Sequence, residues 1–387
     1  MNILFYFENQ INPMYGGTER VADNLAHALR TRGYGIYYLS RRKVGGEYDI
    51  PCYFLPDEVG NTGRNIAYIN DLINQHQIDI IINEGGNTDD IYLFSKEHFT
   101  KVKIITHLHF NPYLQYKYFY RSLHLPFKLF KPVEGMVNLL KWVKAPLNRY
   151  NLLKYTRQRY CYMYEHSDRV ILLAPSYVSD YLEIAGIEDK RHVCKAMLNP
   201  NTYKQTEDSQ IKENVVIFVG RLNFEQKRVD YLLDVWKLVT QQIKNWRLEI
   251  VGDGPDKERL QEYCKKHQIL NVSFEGFKDS SSYYAKAKIL TLSSIQEGSP
   301  MVIIEAMQHG VVPMLYGTFS ASKFLVQEGE TGYVIPPFDK QLYAYKMVTL
   351  MNNDTQWEGM SETCKANSKQ YNIDLITDEW EELLKTI

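Results

Sequence analysis

Two glutamates stand eight residues apart in EGSPMVIIE, Glu297 to Glu305, separated by Gly298, Ser299, Pro300 and an apolar run. Ser299 and Pro300 suit the N-cap and first position of a helix reaching Gly310. That leaves Glu297 in the preceding loop and Glu305 about two turns along, a rise of roughly 9 Å. Carboxylates so separated suit two ends of one ligand, each accepting hydrogen bonds from hydroxyls, while the N–H groups of Ser299, Met301 and Val302 stay open to its middle. The plain alternative is a solvated helix residue and a loop residue.

A second pattern is cationic. In VVIFVGRLNFEQKRV, Arg221 follows a strand and Lys227 comes six residues later, near a helix start. A helix N-terminus disfavours positive charge, so a dianion between the two explains them, with the guanidinium bridging two phosphate oxygens and the ammonium acting as a point charge. Solvated side chains are the alternative. In MYGGTERVADNLAHAL, Gly16 and Gly17 let a backbone approach a ligand closely and Thr18 is placed to cap the next helix, although a tight turn needs no more. His107 and His109 of KIITHLHFNP share a strand face. No acidic or cysteine partner accompanies them, so one functional histidine at the strand end is expected rather than a metal pair, and His109 is the better placed. VGDGPDKERL fails as a dinucleotide fingerprint because Lys257 stands where the third glycine belongs; it reads as a tight turn with Pro255 at a helix start.

Short apolar runs alternating with amphipathic segments must position these residues, the pattern of βαβ units around parallel sheets. The first half reads as strands at 3–7, 35–40, 78–83, 103–109 and 169–174, with helices near 18–31 and 177–185. A second series has strands at 215–220, 247–252, 272–276, 288–293 and 311–316, then helices near 340–351, 356–368 and 374–386. The 387-residue length favours two domains. The polar stretch 201–214 lacks apolar periodicity and is placed as the linker. Five scattered cysteines, none in a CxxC pair, argue for a reducing compartment. The first residues lack the pattern of a signal peptide and no run suits a membrane span, so a cytoplasmic location is expected.

In this order along the chain, GGTER, GRLNFEQK, GDGP and EGSPMVIIE resemble the retaining glycosyltransferases of family 4. The resemblance implies the GT-B fold, two Rossmann-like α/β domains with parallel sheets facing across a cleft. The domains would be 1–200 for the acceptor, 215–370 for a nucleotide-sugar, and 371–387 as a helix returning to the first. It also implies that Arg221 and Lys227 hold the diphosphate, Gly16 and Gly17 approach it from the other side, and Glu305 takes the ribose hydroxyls. Glu297, with the N–H groups of Gly298, Ser299, Met301 and Val302, would hold the donor sugar. The backbone at Phe277 and Lys278 would flank the base, and His109 would be the acceptor-side histidine, with His107 competing. UDP is expected as the commonest donor base in that family. No D-x-D occurs in the chain, so no metal and no other cofactor is expected; Arg221 and Lys227 would neutralise the leaving group.

The net charge of −1 gives no global case for nucleic acid. It conceals an imbalance: residues 113–159 carry ten Lys or Arg against one acid, Glu134, with ten aromatic residues. Met136, Leu139, Leu140, Val143 and Leu147 recur there at helical spacing, with Lys141 and Lys144 beside them, as in an interfacial amphipathic helix. Placed in the acceptor domain, this insert suggests docking at the inner face of an anionic plasma membrane, where a lipid-linked glycan acceptor is found. Packing onto its own domain or a partner chain is the alternative. The expected activity is a metal-independent, retaining hexosyltransferase of cell-surface polysaccharide synthesis. Its competitors are a nucleotide-sugar epimerase of the same architecture and a non-catalytic sugar-nucleotide or membrane-binding protein.

Overall fold

A computed structural model describes residues 1–12, 16–45, 48–86, 88–113, 116–123, 132–201 and 211–387. Most of the expected linker (202–210) and residues 114, 115 and 124–131 of the basic insert lie outside the described residues. The chain groups into two units, 1–113 with 150–202 and 371–387, and 114–149 with 203–370.

Unit 1 is built on β1 (Asn2–Asn9), α1 (Gly17–Thr31), β2 (Gly35–Arg42), β3 (Cys52–Phe54), α2 (Gly63–His76), β4 (Ile80–Asn83) and β5 (Lys103–Leu108). Along the chain α3 (Phe119–Ser122) and α4 (Pro132–His166) follow, of which α3 and residues 132–149 of α4 group with unit 2, then β6 (Arg169–Leu172), α5 (Pro175–Ala185) and β7 (Cys194–Ala196) of unit 1. The strands form one parallel sheet in the order β3-β2-β1-β4-β5-β6-β7. Every residue of β4 is buried, because crossover helices cover both faces of a parallel sheet, and this is why Ile80, Ile81 and Ile82 follow one another without a polar residue.

Unit 2 continues with β8 (Val215–Val219), α6 (Val229–Gln242), β9 (Arg247–Val251), α7 (Lys257–His267), β10 (Val272–Gly276), α8 (Ser281–Lys286) and β11 (Ile289–Leu292). After them come α9 (Met301–Gln308), β12 (Val312–Tyr316), α10 (Ser322–Leu325), β13 (Tyr333–Ile335), α11 (Lys340–Met351) and α12 (Asp354–Ser368). Its parallel sheet runs β10-β9-β8-β11-β12-β13. The last helix, α13 (Ile373–Thr386), belongs to unit 1. Its Ile376, Trp380, Leu383 and Leu384 complete the core that Ala22, Leu25 and Leu29 of α1 begin. Arg32 fastens the contact through Glu381 at 3.0 Å and through Asp378.

Three differences from the sequence expectation have physical causes. The three-residue strands β3, β7 and β13 are too short to show a period. The helix α2 was not foreseen; its buried face is Asn65, Ile69, Leu72 and Ile73, and Thr62 caps it by accepting from the Asn65 N–H at 3.2 Å. The insert 113–159, expected wholly with the acceptor domain, divides, because residues 114–149 group with unit 2. Here Tyr118 meets Phe338 edge-on at 5.3 Å and the Arg228 guanidinium donates to the Arg121 carbonyl at 2.9 Å.

Candidate active site

In unit 2 the strand order reverses between β8 and β11, and the carboxyl ends of the strands at such a switch point are where open α/β sheets bind ligands. The two expected motifs are the loops that leave these two strands. They are stitched together: the Ile295 N–H donates to the Gln226 carbonyl at 2.8 Å, and the Ser293 hydroxyl donates to the Lys227 carbonyl at 2.8 Å. Between them the Lys227 Nζ donates to Glu297 Oε1 at 2.6 Å, with both side chains largely out of water. The sequence reading had assigned these two charges to different parts of a ligand; the fold makes them each other's partner. Arg221 is exposed and has no ion-pair partner among the described residues.

The GDGP turn acts on this loop from below. A Cβ on Gly252 would lie 2.0 Å from the Gly220 carbonyl oxygen, and one on Gly254 2.3 Å from that of Leu222. Glycine is therefore required by close backbone approach. The Leu222 N–H donates to the Asp253 carbonyl at 2.9 Å and the Phe224 N–H to Asp256 Oδ2 at 2.6 Å. The helix after the turn begins at Lys257 with Asp256 as its cap, not at Pro255.

The other expected helix is also shifted. Pro300 is the N-cap of α9, with ψ near 107°, and Ser299 does not cap it; the helix stops at Gln308, before Gly310 at φ +65°. Its extended ψ puts Pro300 outside the helix, while its carbonyl accepts the first turn's bond from the Ile303 N–H at 3.0 Å. Met301, Ile303 and Ile304 are buried against the sheet, whereas Val302 is half-buried. Glu305 accepts from the Tyr284 hydroxyl at 3.0 Å. Phe277 is exposed after the edge strand β10, and Lys278 pairs with Glu275 at 3.1 Å.

The remaining expected residues lie in unit 1. Gly16 is the extended N-cap of α1 and Gly17 opens the helix, so Thr18 lies inside the first turn rather than at its cap. The Glu19 carboxylate folds back over Gly16. At the end of β5, His107 and His109 do have an acidic partner, contrary to the sequence reading: Glu84, just past β4, contacts His109 Nε2 and lies 3.1 Å from His107 Nδ1. The three side chains are nearly inaccessible. Burial pushes the Glu84 carboxyl up, but the two imidazoles outweigh it and hold it at about 2. Burial, and then the neighbouring His107, push His109 below its ordinary value. Their ligand atoms lie within 4.8 Å of one another, a set that could hold a cation. Yet Glu84 Oε2 and His109 Nε2 are in direct contact, so these atoms already satisfy each other.

With this geometry in place, the comparisons are specific. A profile described as Glycosyltransferase Family 4 matches residues 15–195, and one described as Glycosyl transferases group 1 matches residues 213–353. The chain belongs to the group 1, family 4 glycosyltransferases. An uncharacterized glycosyltransferase of Haemophilus influenzae is 26% identical over 95% of this chain and 96% of its own. The Campylobacter jejuni GalNAc-α-(1→4)-GalNAc-α-(1→3)-diNAcBac-PP-undecaprenol α-1,4-N-acetyl-D-galactosaminyltransferase is 28% identical over 54% of this chain and 60% of its own. The crystal structure of HepE from Anabaena in complex with UDP matches at TM-score 0.73, with 17% identity over the full length of both chains. The fold of this glycosyltransferase is GT-B, and the matches do not favour the epimerase alternative.

Sequence reasoning missed Glu84 in this glycosyltransferase. Its signal, a carboxylate between a strand end and Gly85-Gly86 in INEGGN, was present, but its partners lie about 25 residues downstream. Asn223 was missed as well; its side chain accepts from the Lys227 N–H at 3.1 Å and sets the loop's turn.

Proposed function

We propose that this glycosyltransferase moves a sugar, with retention at the anomeric carbon, from a nucleotide-sugar, UDP-linked by preference, to a lipid-linked glycan in cell-surface polysaccharide synthesis. The Lys227–Glu297 pair beside exposed Arg221, at the strand-order reversal of unit 2, carries the reading. There Arg221 and Lys227 take the diphosphate, Glu297 and the N–H groups of Gly298, Ser299, Met301 and Val302 take the sugar, and Glu305 the ribose. Phe277 and Lys278 flank the base, and Gly16, Gly17 and His109 serve from unit 1. The bond from the anomeric carbon to the phosphate oxygen breaks as that to the acceptor oxygen forms on the same face. The acceptor's proton passes to the departing phosphate oxygen, so no separate carboxylate base is required. The two cations stabilise the nucleoside diphosphate as it leaves, without a metal. UDP in HepE and the undecaprenol-linked glycan in the Campylobacter name support donor and acceptor class.

The basic insert supports a membrane-bound acceptor. On α4, Met136, Leu140, Val143 and Leu147 form one exposed stripe, while Asn138 and Ala145 on the opposite face are buried. Among the described residues this apolar face stays exposed, and Lys141 and Lys144 lie along one side of it, as at an anionic bilayer surface. No described helix is long and apolar enough to cross a membrane.

A panel of UDP-, GDP- and ADP-sugars scored by thermal shift tests the donor, since a ligand bound only by the folded state raises Tm. Product analysis then reads the anomeric configuration, and turnover in excess EDTA reads the metal. A selective UDP-sugar shift with an α-linked product from an α-linked donor upholds the proposal; inversion, or donor isomerisation without acceptor, refutes it.

A further inference from the structure

We infer that Glu84 is the positioning residue of the acceptor-side histidine: it takes the Nε2–H of His109, fixing the lone pair on Nδ1, and so reserves Nδ1 as the hydrogen-bond acceptor for a sugar hydroxyl. This rests on the glycosyl-transfer reading of His109 given above. An ionised carboxylate can only accept, so the ring nitrogen touching it must carry the proton. Glu84 is held ionised by its neighbours and His109 neutral by its burial, which leaves one tautomer and one lone pair. His109 Nδ1 is buried and has no partner among the described residues. Buried polar atoms are seldom left unpaired without a use, since each costs about 1–3 kcal/mol.

The surroundings fix which way the arrangement faces. His107 brings a second ring nitrogen to the same Glu84 oxygen at 3.1 Å, and its ring packs 3.9 Å from that of His109 and 5.5 Å from Trp380 of α13. Glu84 is thereby pinned from the sheet side. Glu19, in the first turn of α1, is a further charge that acts on His109, and His109 itself directly follows β5. The hydroxyl that Nδ1 accepts from is therefore one brought to the carboxyl end of β5. Glu84 itself touches no substrate; it acts through His109.

Histidine-selective ¹⁵N NMR of the full-length protein, with His109 assigned by the His109→Asn variant, reads the tautomer directly. The wild type is expected to show a neutral His109 protonated at Nε2 from pH 7 to 8. Glu84→Gln, whose amide can donate as well as accept, is expected to mix or invert the tautomers. In the transfer assay it should lower kcat by roughly 10- to 100-fold, the usual effect of removing a group that orients another. The donor-induced thermal shift and donor KM should be unchanged, and Glu84→Asp, which keeps the charge, should recover part of the rate. A wild-type His109 that is cationic or protonated at Nδ1 overturns the inference without any variant. So does a Glu84→Gln protein with the wild-type tautomer or wild-type kcat. Absence of transfer by the wild type from any donor would refute the proposed function instead, while the NMR comparison still decides the role of Glu84.

Discussion

At Lys227 and Glu297 charge and burial meet, and the two cations of the donor loop should behave differently when removed. Lys227→Ala strands a buried carboxylate, expected to cost about 3 kcal/mol in denaturant unfolding. Arg221→Ala, on an exposed side chain, should change stability by less than about 0.5 kcal/mol. Both should abolish the donor-induced thermal shift; equal stability losses would show that the pair is not as buried as described. Glu84 gives a pH signature. Its folded-state value is depressed to about 2, so its contribution is complete above its ordinary range near 4.5 and is lost as pH falls toward 2. His109, also depressed, adds loss in the same direction below about 6.5, because protonation favours the unfolded chain. Tm of the wild type should fall with acidification more steeply than that of Glu84→Gln, and parallel profiles would remove Glu84 from the account.

Among the elements, the GDGP turn and α4 make separable claims. Gly254→Ala would drive a methyl into the Leu222 carbonyl and displace the Arg221 loop. Donor binding should weaken at least tenfold by titration, with α7 still folded by circular dichroism; unchanged affinity would mean the loop yields freely. Replacing Leu140, Val143 and Leu147 together by Ser should leave Tm within about 2 °C, since the stripe is exposed. It should also abolish sedimentation with anionic vesicles, whereas undiminished vesicle binding would move the docking surface elsewhere. These elements also mark what the sequence disclosed. The central strands and the motif loops were legible because apolar runs such as VVIFV stand between turn residues. The cap of α9 was misplaced by one residue because Ser299-Pro300 satisfies two capping patterns equally. The pairings Lys227–Glu297 and Glu84–His109 join loops 70 and 25 residues apart, and no local pattern encodes which partners the sheet order brings together.

At the scale of the molecule, each unit has its own core, and α13 belongs to the first. Trp380→Ala, removing a side chain 1% exposed, should destabilise unit 1 by about 3–5 kcal/mol. Calorimetry should show one transition lowered and the other, assigned to unit 2 by its donor-induced shift, left in place. A common downward shift would mean that the two units unfold together. The placement of α13 also orders events during synthesis. Domains ordinarily fold as the ribosome releases them, the N-terminal one first. Here the earliest-made sheet lacks its closing helix until residues 203–370 have been translated, so unit 2 can finish while unit 1 still exposes the apolar face around Ala22, Leu25 and Leu29. A released chain truncated at residue 370 should therefore be protease-resistant in its second unit, whose core α11 and α12 complete, and cleaved in its first, which lacks α13.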